Sequence, residues 1–143
     1  MVFVRRQATA QSGPCHHGTM DFSGVVAATE ELPGVEVSTW YGTPGVKVGG
    51  KGFCRMWSQR EYERDGVDDT EVLVVMCDVE EKPVLIAASD GVLFSTAHYE
   101  GHGAMLIRLA DVAVDDLADY LLDGWMQKAS PKLAKEFEVS RPT

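Results

Sequence analysis

Residues 46–53 read VKVGGKGF, a stretch that predicts a tight β-hairpin and, with it, an antiparallel sheet. The glycine pair at its centre supplies the positive φ angles that a two-residue hairpin turn requires. Apolar residues alternate with lysines on either side of the turn, as in strands that bury one face. In the expected register Val46 lies opposite Phe53, while Lys47 projects from the other side, opposite Gly52.

The rest of the chain predicts further strands and helices around this hairpin. A strand over residues 35–41 precedes it, and the continuous β-branched run at 71–77 is typical of a buried strand. Short strands are expected at 91–95 and 104–109. Helices capped by Asp21, Asp78 and Asp115 are expected to end near 32, 88 and 128, with a short helix over 132–137.

These elements define the expected fold class. The charged segment 58–70 contains an Asp-Gly pair and is predicted to be a loop. The order is then one helix, three or four strands, a helix, two strands and a final helix. A hairpin followed by paired strands favours an α+β fold, with two layers: an antiparallel sheet and helices on one of its faces.

The chain length favours one domain flanked by two short ends. Residues 1–20 lack an apolar segment after Arg5 and Arg6, which argues against a secretory signal. Their composition predicts a disordered extension. Residues 21–137 form the expected domain, and 138–143 form a C-terminal tail.

Cysteine usage and hydropathy indicate a compartment. Cys15, Cys54 and Cys77 are odd in number and lack metal-binding spacing, which favours a reducing, cytoplasmic location. No apolar run approaches the roughly 18 residues of a membrane-spanning helix. We therefore expect no membrane partner.

No motif in the sequence predicts catalysis. Its paired carboxylates lie in polar surroundings typical of solvated loops and helix caps: Asp68-Asp69, Glu80-Glu81 and Asp115-Asp116. His98 and His102 have the i, i+4 spacing of a helical ligand pair, but neighbouring glycines favour a loop. The glycine-rich hairpin lacks the phosphate-binding pattern GxxxxGK[ST]. We therefore expect no enzymatic activity, no metal site and no cofactor.

Charge is distributed unevenly along the chain. The net charge is −9, but residues 40–64 hold five basic and two acidic side chains, whereas 65–124 hold two basic and fourteen acidic ones. Aromatic residues are interleaved with the basic ones in the first segment, as in surfaces that contact phosphate backbones and stack on bases. The alternative is that these aromatics belong to the core and that the lysines protect an edge hairpin from aggregation.

Several segments together resemble the MmcQ/YjbR family, in the family's order and spacing. They are LPGVE at 32–36, YGTP at 41–44, the hairpin at 46–53, STAHYEG at 95–101, LIRL at 106–109 and SPK at 130–132. The resemblance covers about residues 21–137 and implies a two-layer α+β fold. Its members are commonly called DNA-binding because their fold resembles a double-wing module, although fold alone does not fix function.

The resemblance implies two alternative functions, both without catalysis. In the first, the hairpin is a DNA-binding wing, with phosphate contacts from Lys47, Lys51, Arg55, Arg60 and Lys132. In the second, a cleft binds a small molecule or a protein, and its residues are Trp40, Tyr41, Thr43, Lys47, His98 and Tyr99. The direction of the Lys47 side chain, toward His98 or outward with Lys51, separates the two.

Overall fold

The computed structural model of the protein describes residues 20–67 and 71–140, which form a sheet of six antiparallel strands with helices packed on it. The α-helices are α1 (Phe22–Thr29), α2 (Gln59–Asp65), α3 (Lys82–Ala88), α4 (Val114–Lys128) and α5 (Pro131–Ser140). The strands are β1 (Val35–Trp40), β2 (Thr43–Val48), β3 (Lys51–Met56), β4 (Val72–Met76), β5 (Leu93–Phe94) and β6 (Ala104–Arg108). A short 3₁₀ turn covers Ala97–Tyr99. The α+β class predicted from the sequence is confirmed.

The β2–β3 hairpin lies inside the sheet, whose strand order is β1-β2-β3-β4-β6-β5. Because β1 pairs along the whole of β2, the hairpin is not a free edge from which a wing protrudes. Its register also differs from the expected one. A bulge places Val46 opposite Cys54 rather than Phe53, while Lys47 still lies opposite Gly52. The two-glycine turn forms as predicted, with positive φ at both positions.

The main core lies on one face of the sheet, under α1 and α4. Leu121 and Trp125 of α4 are fully buried there with Phe53, Leu73 and Ile107 of the sheet. Gly124 lets α4 approach the strands, since a Cβ at this position would press against Val75 and two backbone carbonyls. The helical apolar pattern of α4 therefore serves the core, as expected from its spacing.

A second, smaller cluster covers part of the opposite face. Trp57, Val72, Val74, Tyr99 and Leu106 are buried together there, and Tyr62 of α2 packs edge-on against Trp57. The α2 helix therefore lies on the face that the sequence left without helices.

Helix α2 corrects the prediction of a loop over residues 58–70. Ser58 caps it and forms a capping box with Glu61, and Gly66 ends it with a φ of 68°. This S-x-x-E pattern is a known helix-start signature, whereas the loop was predicted from the charged composition and the Asp-Gly pair at 65–66. Residues 68–70, with Asp68-Asp69, lie outside the described part of the chain, as do Cys15 and the rest of 1–19.

Two other helix starts differ from prediction. Helix α3 begins at Lys82 after Glu81, the late start that Pro83 favours, and Asp78 accepts from the Glu80 N–H at 2.8 Å instead of forming a capping box with Glu81. Helix α4 begins after Ala113, and Asp115 and Asp116 occupy its first turn instead of capping it. There they face the positive end of the helix dipole.

The ends of the described chain pack further than expected. Met20, the last residue of the predicted extension, packs against the core, and α5 continues past Phe137 to Ser140. Within residues 20–67 and 71–140, no helix has the length and apolar character needed to cross a bilayer.

Candidate functional site

A cleft of about 550 Å³ opens on the face of the sheet opposite the main core. Its floor comes from β3, β4 and β6, with Val74, Met76 and Ala104 among its residues. One wall is the β1–β2 turn, the other is the segment around the 3₁₀ turn, and α2 closes one end. The lining includes Trp40, Tyr41, Arg55, Ser58, Arg60, Glu61, Arg64, His98, Tyr99 and His102.

The first wall is built by two adjacent aromatic residues at the β1–β2 turn. The Trp40 indole Nε1 donates to the Cys54 carbonyl at 3.0 Å, which lays the ring across the sheet. Gly52 permits this position, since any Cβ there would overlap the indole. Tyr41 follows with a φ of 56° and 79% exposure, its ring centroid 5.6 Å from that of Trp40. A rigid indole and an exposed phenol thus face the cleft together.

The second wall is held in place by a buried lysine. Lys82 is 6% exposed, and its Nζ donates to the carbonyls of Tyr99 and His102 at 2.6 and 3.1 Å. Burial lowers the pKa of Lys82. With the backbone fixed in this way, the His98 and His102 rings stack with centroids 5.9 Å apart. His98 and His102 are both exposed, which places their imidazoles at the open side of the cleft.

A buried ion pair joins the floor of the cleft to α2. Arg55 Nη1 and Nη2 donate to Glu61 Oε1 and Oε2 at 2.9 and 2.7 Å, with both side chains about one-tenth exposed. Ser58 donates to the same carboxylate through its N–H and hydroxyl. The Tyr99 hydroxyl donates to Glu61 at 3.1 Å and accepts from the Trp57 indole at 3.2 Å. Glu61 therefore links β3, α2 and the second wall.

The charge state of this network follows from its contacts. Burial disfavours the charged form of Glu61. The hydrogen bonds from Arg55 and Ser58, together with the positive charge of Arg55, outweigh burial and lower the pKa of Glu61 to about 2. Burial also disfavours the Arg55 guanidinium, and Glu61 reverses that effect and raises its pKa. Burial raises the pKa of the Tyr99 hydroxyl. The pair is thus fully ionised and the phenol neutral near neutral pH.

A second, shallower depression adjoins the cleft and shares Trp40, Tyr41 and Met76 with it. Three lysines from separate elements meet there: Lys47 of β2, Lys51 of β3 and Lys128 at the end of α4. Of the described residues that line it, none is acidic. This concentration of positive charge contrasts with the net charge of −9.

The residues predicted to contact DNA are only partly suited to that role. Lys51, Arg60 and Lys132 are exposed, and Lys47 is half-buried. Arg55 must be removed from this set, because its guanidinium is buried and bound to Glu61. In the β1–β2 pairing Glu36 lies directly opposite Lys47.

The residues predicted for a small-molecule or protein-binding cleft lie closer together in the structure. Trp40, Tyr41, His98 and Tyr99 all line the one cleft, although the two pairs come from distant parts of the chain. Thr43 is buried beneath it, its hydroxyl 3.5 Å from Arg55 Nη1. Lys47 lines the adjoining depression with Lys51 rather than the cleft that holds His98.

Several residues of this face belong to neither predicted set, among them Glu61, Lys128 and His102. Glu61 could have been found from the Ser58-x-x-Glu61 capping pattern. Lys128 was read as the end of an amphipathic helix, and nothing in the sequence places it beside Lys47. His102 was considered only as a metal ligand, and among the described residues no group of three ligating side chains could hold a metal ion.

The sheet order, the helices on it and the cleft define a class of small α+β proteins. A family model described as YjbR matches residues 30–127, more than half of the chain. The protein therefore belongs to the YjbR family, as the sequence motifs predicted.

Similar proteins support the fold. The crystal structure of Deinococcus radiodurans protein DR2400, with family-model domain DUF419, superposes with a TM-score of 0.61. The superposition covers 84% of this chain and 89% of that chain at 16% identity, a likeness of fold alone.

Two relatives are similar over a shorter stretch. The uncharacterized proteins Rv2570 of Mycobacterium tuberculosis and Mb2600 of Mycobacterium bovis are each 39% identical over 56 residues. That segment is 39% of this chain and 43% of each relative, so the match spans less than half of either length.

Proposed function

We propose that the protein is a non-enzymatic binding module whose cleft takes a small, planar, anionic molecule. The main evidence for this proposal is that Trp40 and Tyr41 line the same cleft of about 550 Å³ as His98 and Tyr99, on opposite walls. That volume falls within the range of small-molecule sites, roughly 300–1,000 Å³. Exposed aromatic and imidazole rings on opposite walls favour a flat ligand that stacks.

The charges around the cleft support an anionic ligand. Arg60 and Arg64 line its closed end, and Glu61 is the single acidic residue among the described lining residues. Asp65 offsets the charge of Arg64 through an ion pair of 2.7 Å, so Arg60 is the main source of attraction there. Because Glu61 is neutralised by Arg55, it adds little repulsion. An acidic protein that gathers basic groups in one concavity attracts anions to that concavity.

The two described cysteines are consistent with a module that has no catalytic thiol. Burial raises the pKa of Cys54 to about 12 and that of Cys77 to about 11, so neither thiol forms a thiolate near neutral pH. Both cysteines are unpaired and buried, which also supports our proposal of a reducing, cytoplasmic location.

A ligand screen with matched variants tests the proposal. Wild-type protein is screened by thermal shift against planar anionic compounds, and hits are measured by titration calorimetry. Tyr41→Ala and His98→Ala are expected to weaken a true cleft ligand by about tenfold, the effect of losing one stacking contact of about 1.4 kcal/mol. Val84→Ser, on the exposed side of α3, is the control and should bind as wild type. A hit unaffected by both cleft variants would contradict the proposal.

DNA binding is the second candidate, favoured by the three lysines beside Trp40 and Tyr41. Phosphate contacts would come from Lys47, Lys51 and Lys128, with Arg60 and Lys132 at the rim. Three to five contacts predict a log–log salt slope of about −3 to −4.5.

Fluorescence anisotropy with labelled duplex and single-stranded DNA, at about 50 and 200 mM salt, tests this candidate. The double variant Lys47→Ala/Lys51→Ala is run alongside. Binding that falls with salt and with the double variant supports it. No binding at the lower salt concentration eliminates it.

A further inference from the structure

The cleft and the lysine-lined depression adjoin each other, and the two together are called the trough. Trp40, Tyr41 and Met76 line both, so the two cavities meet at these side chains. A molecule stacked on the Trp40–Tyr41 pair would therefore extend a substituent toward the lysines. The same molecule would keep its planar part beside His98 and Tyr99.

The depression is built to receive negative charge. Its lysines are brought together by tertiary packing from β2, from the start of β3 and from the end of α4. Glu36 lies opposite Lys47 and offsets part of its charge. Lys51, which is exposed, and Lys128 are then the main source of attraction. Three ammonium groups around a shallow bowl suit a phosphate, which accepts hydrogen bonds on several oxygens.

Tyr41 presents an exposed ring at the junction of the cleft and the depression. It has a φ of 56°, a region that costs bulky residues energy and that glycine and asparagine occupy more easily. The ring gains little burial in return, since 79% of the residue is exposed. Tyr41 and Gly42 are the two central residues of the β1–β2 turn, which requires positive φ at both positions. The turn thus holds the Tyr41 ring in an exposed position, where it can stack on a planar ligand.

From these features we propose that the trough binds a free nucleotide, with the base on Trp40 and Tyr41 and the phosphate at Lys47, Lys51 and Lys128. This inference rests on the proposed function of the cleft and adds a phosphate subsite to it. A free nucleotide is favoured over a nucleic acid because the protein has a net charge of −9 and its remaining surface repels a longer polyanion.

Calorimetric titration of adenosine and guanosine, and of their 5′-mono- and diphosphates, tests the subsite. At least one nucleotide is expected to bind about tenfold or more tightly than its nucleoside, since each phosphate contact is charge-assisted. Raising the salt concentration from about 50 to 300 mM should weaken nucleotide binding while leaving nucleoside binding nearly unchanged.

Charge variants identify the contacts. Lys51→Met/Lys128→Met should remove the advantage of the nucleotide over the nucleoside and leave nucleoside binding intact. Lys135→Met removes one positive charge at an exposed position of α5, as each single variant Lys51→Met or Lys128→Met does, and should retain the advantage. Lys128→Arg should restore most of the binding lost in Lys128→Met. Far-UV circular dichroism confirms that each variant is folded.

The outcomes separate the two proposals. Equal affinity for nucleoside and nucleotide overturns the phosphate subsite, and an anionic cleft ligand from the screen then leaves the cleft proposal standing. No binding of any nucleoside or nucleotide at millimolar concentration, together with a cleft ligand from the screen, also overturns the subsite alone. The single-stranded oligonucleotide octathymidylate is titrated as well. If it binds and no mononucleotide does, a free nucleotide is not the ligand. Absence of any small ligand removes both proposals.

Discussion

Arg55 and Glu61 form a bidentate ion pair between β3 and α2, with nitrogen–oxygen distances of 2.9 and 2.7 Å. The pair lies under the cleft, and Arg55 also faces the Trp40 and Tyr41 rings at 5.6 and 5.1 Å from their centroids. Through Tyr99 the same carboxylate reaches the opposite wall. One buried contact therefore connects both walls of the site to α2.

Removing the charge of Glu61 should destabilise the protein strongly. Glu61→Gln leaves Arg55 buried without its counter-charge, and loss of one partner of such a pair costs about 3 kcal/mol. The measurement is the free energy of unfolding in urea. Glu63→Gln, exposed on the same helix, is the control and should change stability by less than about 0.5 kcal/mol. Equal losses in both variants would show that the buried pair has no special role.

The same carboxylate predicts how stability depends on pH. Because the pKa of Glu61 falls to about 2 on folding, its contribution is complete above the unfolded value, about 4.3, and is lost as pH falls toward 2. The stability gap between wild type and Glu61→Gln should thus be constant from pH 5 to 7 and narrow between pH 5 and 2. Asp21 and Asp65 also have lowered pKa values, but both carboxyls are present in wild type and in Glu61→Gln, so their contributions cancel in the stability gap. Urea unfolding across this pH range measures the gap, and one that stays constant would argue against the prediction.

Gly52 and Trp40 should be energetically coupled. An alanine at position 52 overlaps the indole although the backbone there has no positive φ, so Gly52→Ala should cost about 1–3 kcal/mol by overpacking. In a Trp40→Ala background most of that cost should disappear, because the overlapping ring is gone. Unfolding free energies of the four proteins complete the double-mutant cycle. Additive losses would mean that Gly52 is required for another reason.

Lys82 should control the order of the second wall. Lys82→Met leaves the carbonyls of Tyr99 and His102 without their buried donor, at a cost of about 1–3 kcal/mol. The amides of Tyr99 and His102 close the turns of this segment, so their hydrogen exchange should become faster. Lys135→Met on α5 is the exposed control. Unchanged exchange in Lys82→Met would show that the wall is held by other contacts.

Local patterns predicted most elements of the fold. The two-glycine turn, the apolar run of β4 and the spacing of α4 each depend on neighbours within a few residues, and each formed as expected. The misjudged segment, α2, carried competing local patterns: a capping box at Ser58 and an Asp-Gly pair at Asp65. The bulge at Val46 was hidden because the register of a strand also depends on its second partner.

The candidate site depended much more on tertiary structure. The sequence by itself determined the fold class, the family, the hairpin and the basic–aromatic character of residues 40–64. Only the folded chain decided that Arg55 is buried against Glu61, that Lys128 joins Lys47 and Lys51, and that Trp40 and Tyr41 face His98 and Tyr99. Such contacts join residues far apart in the chain, so they arise from sheet order and helix packing, which short-range patterns do not contain.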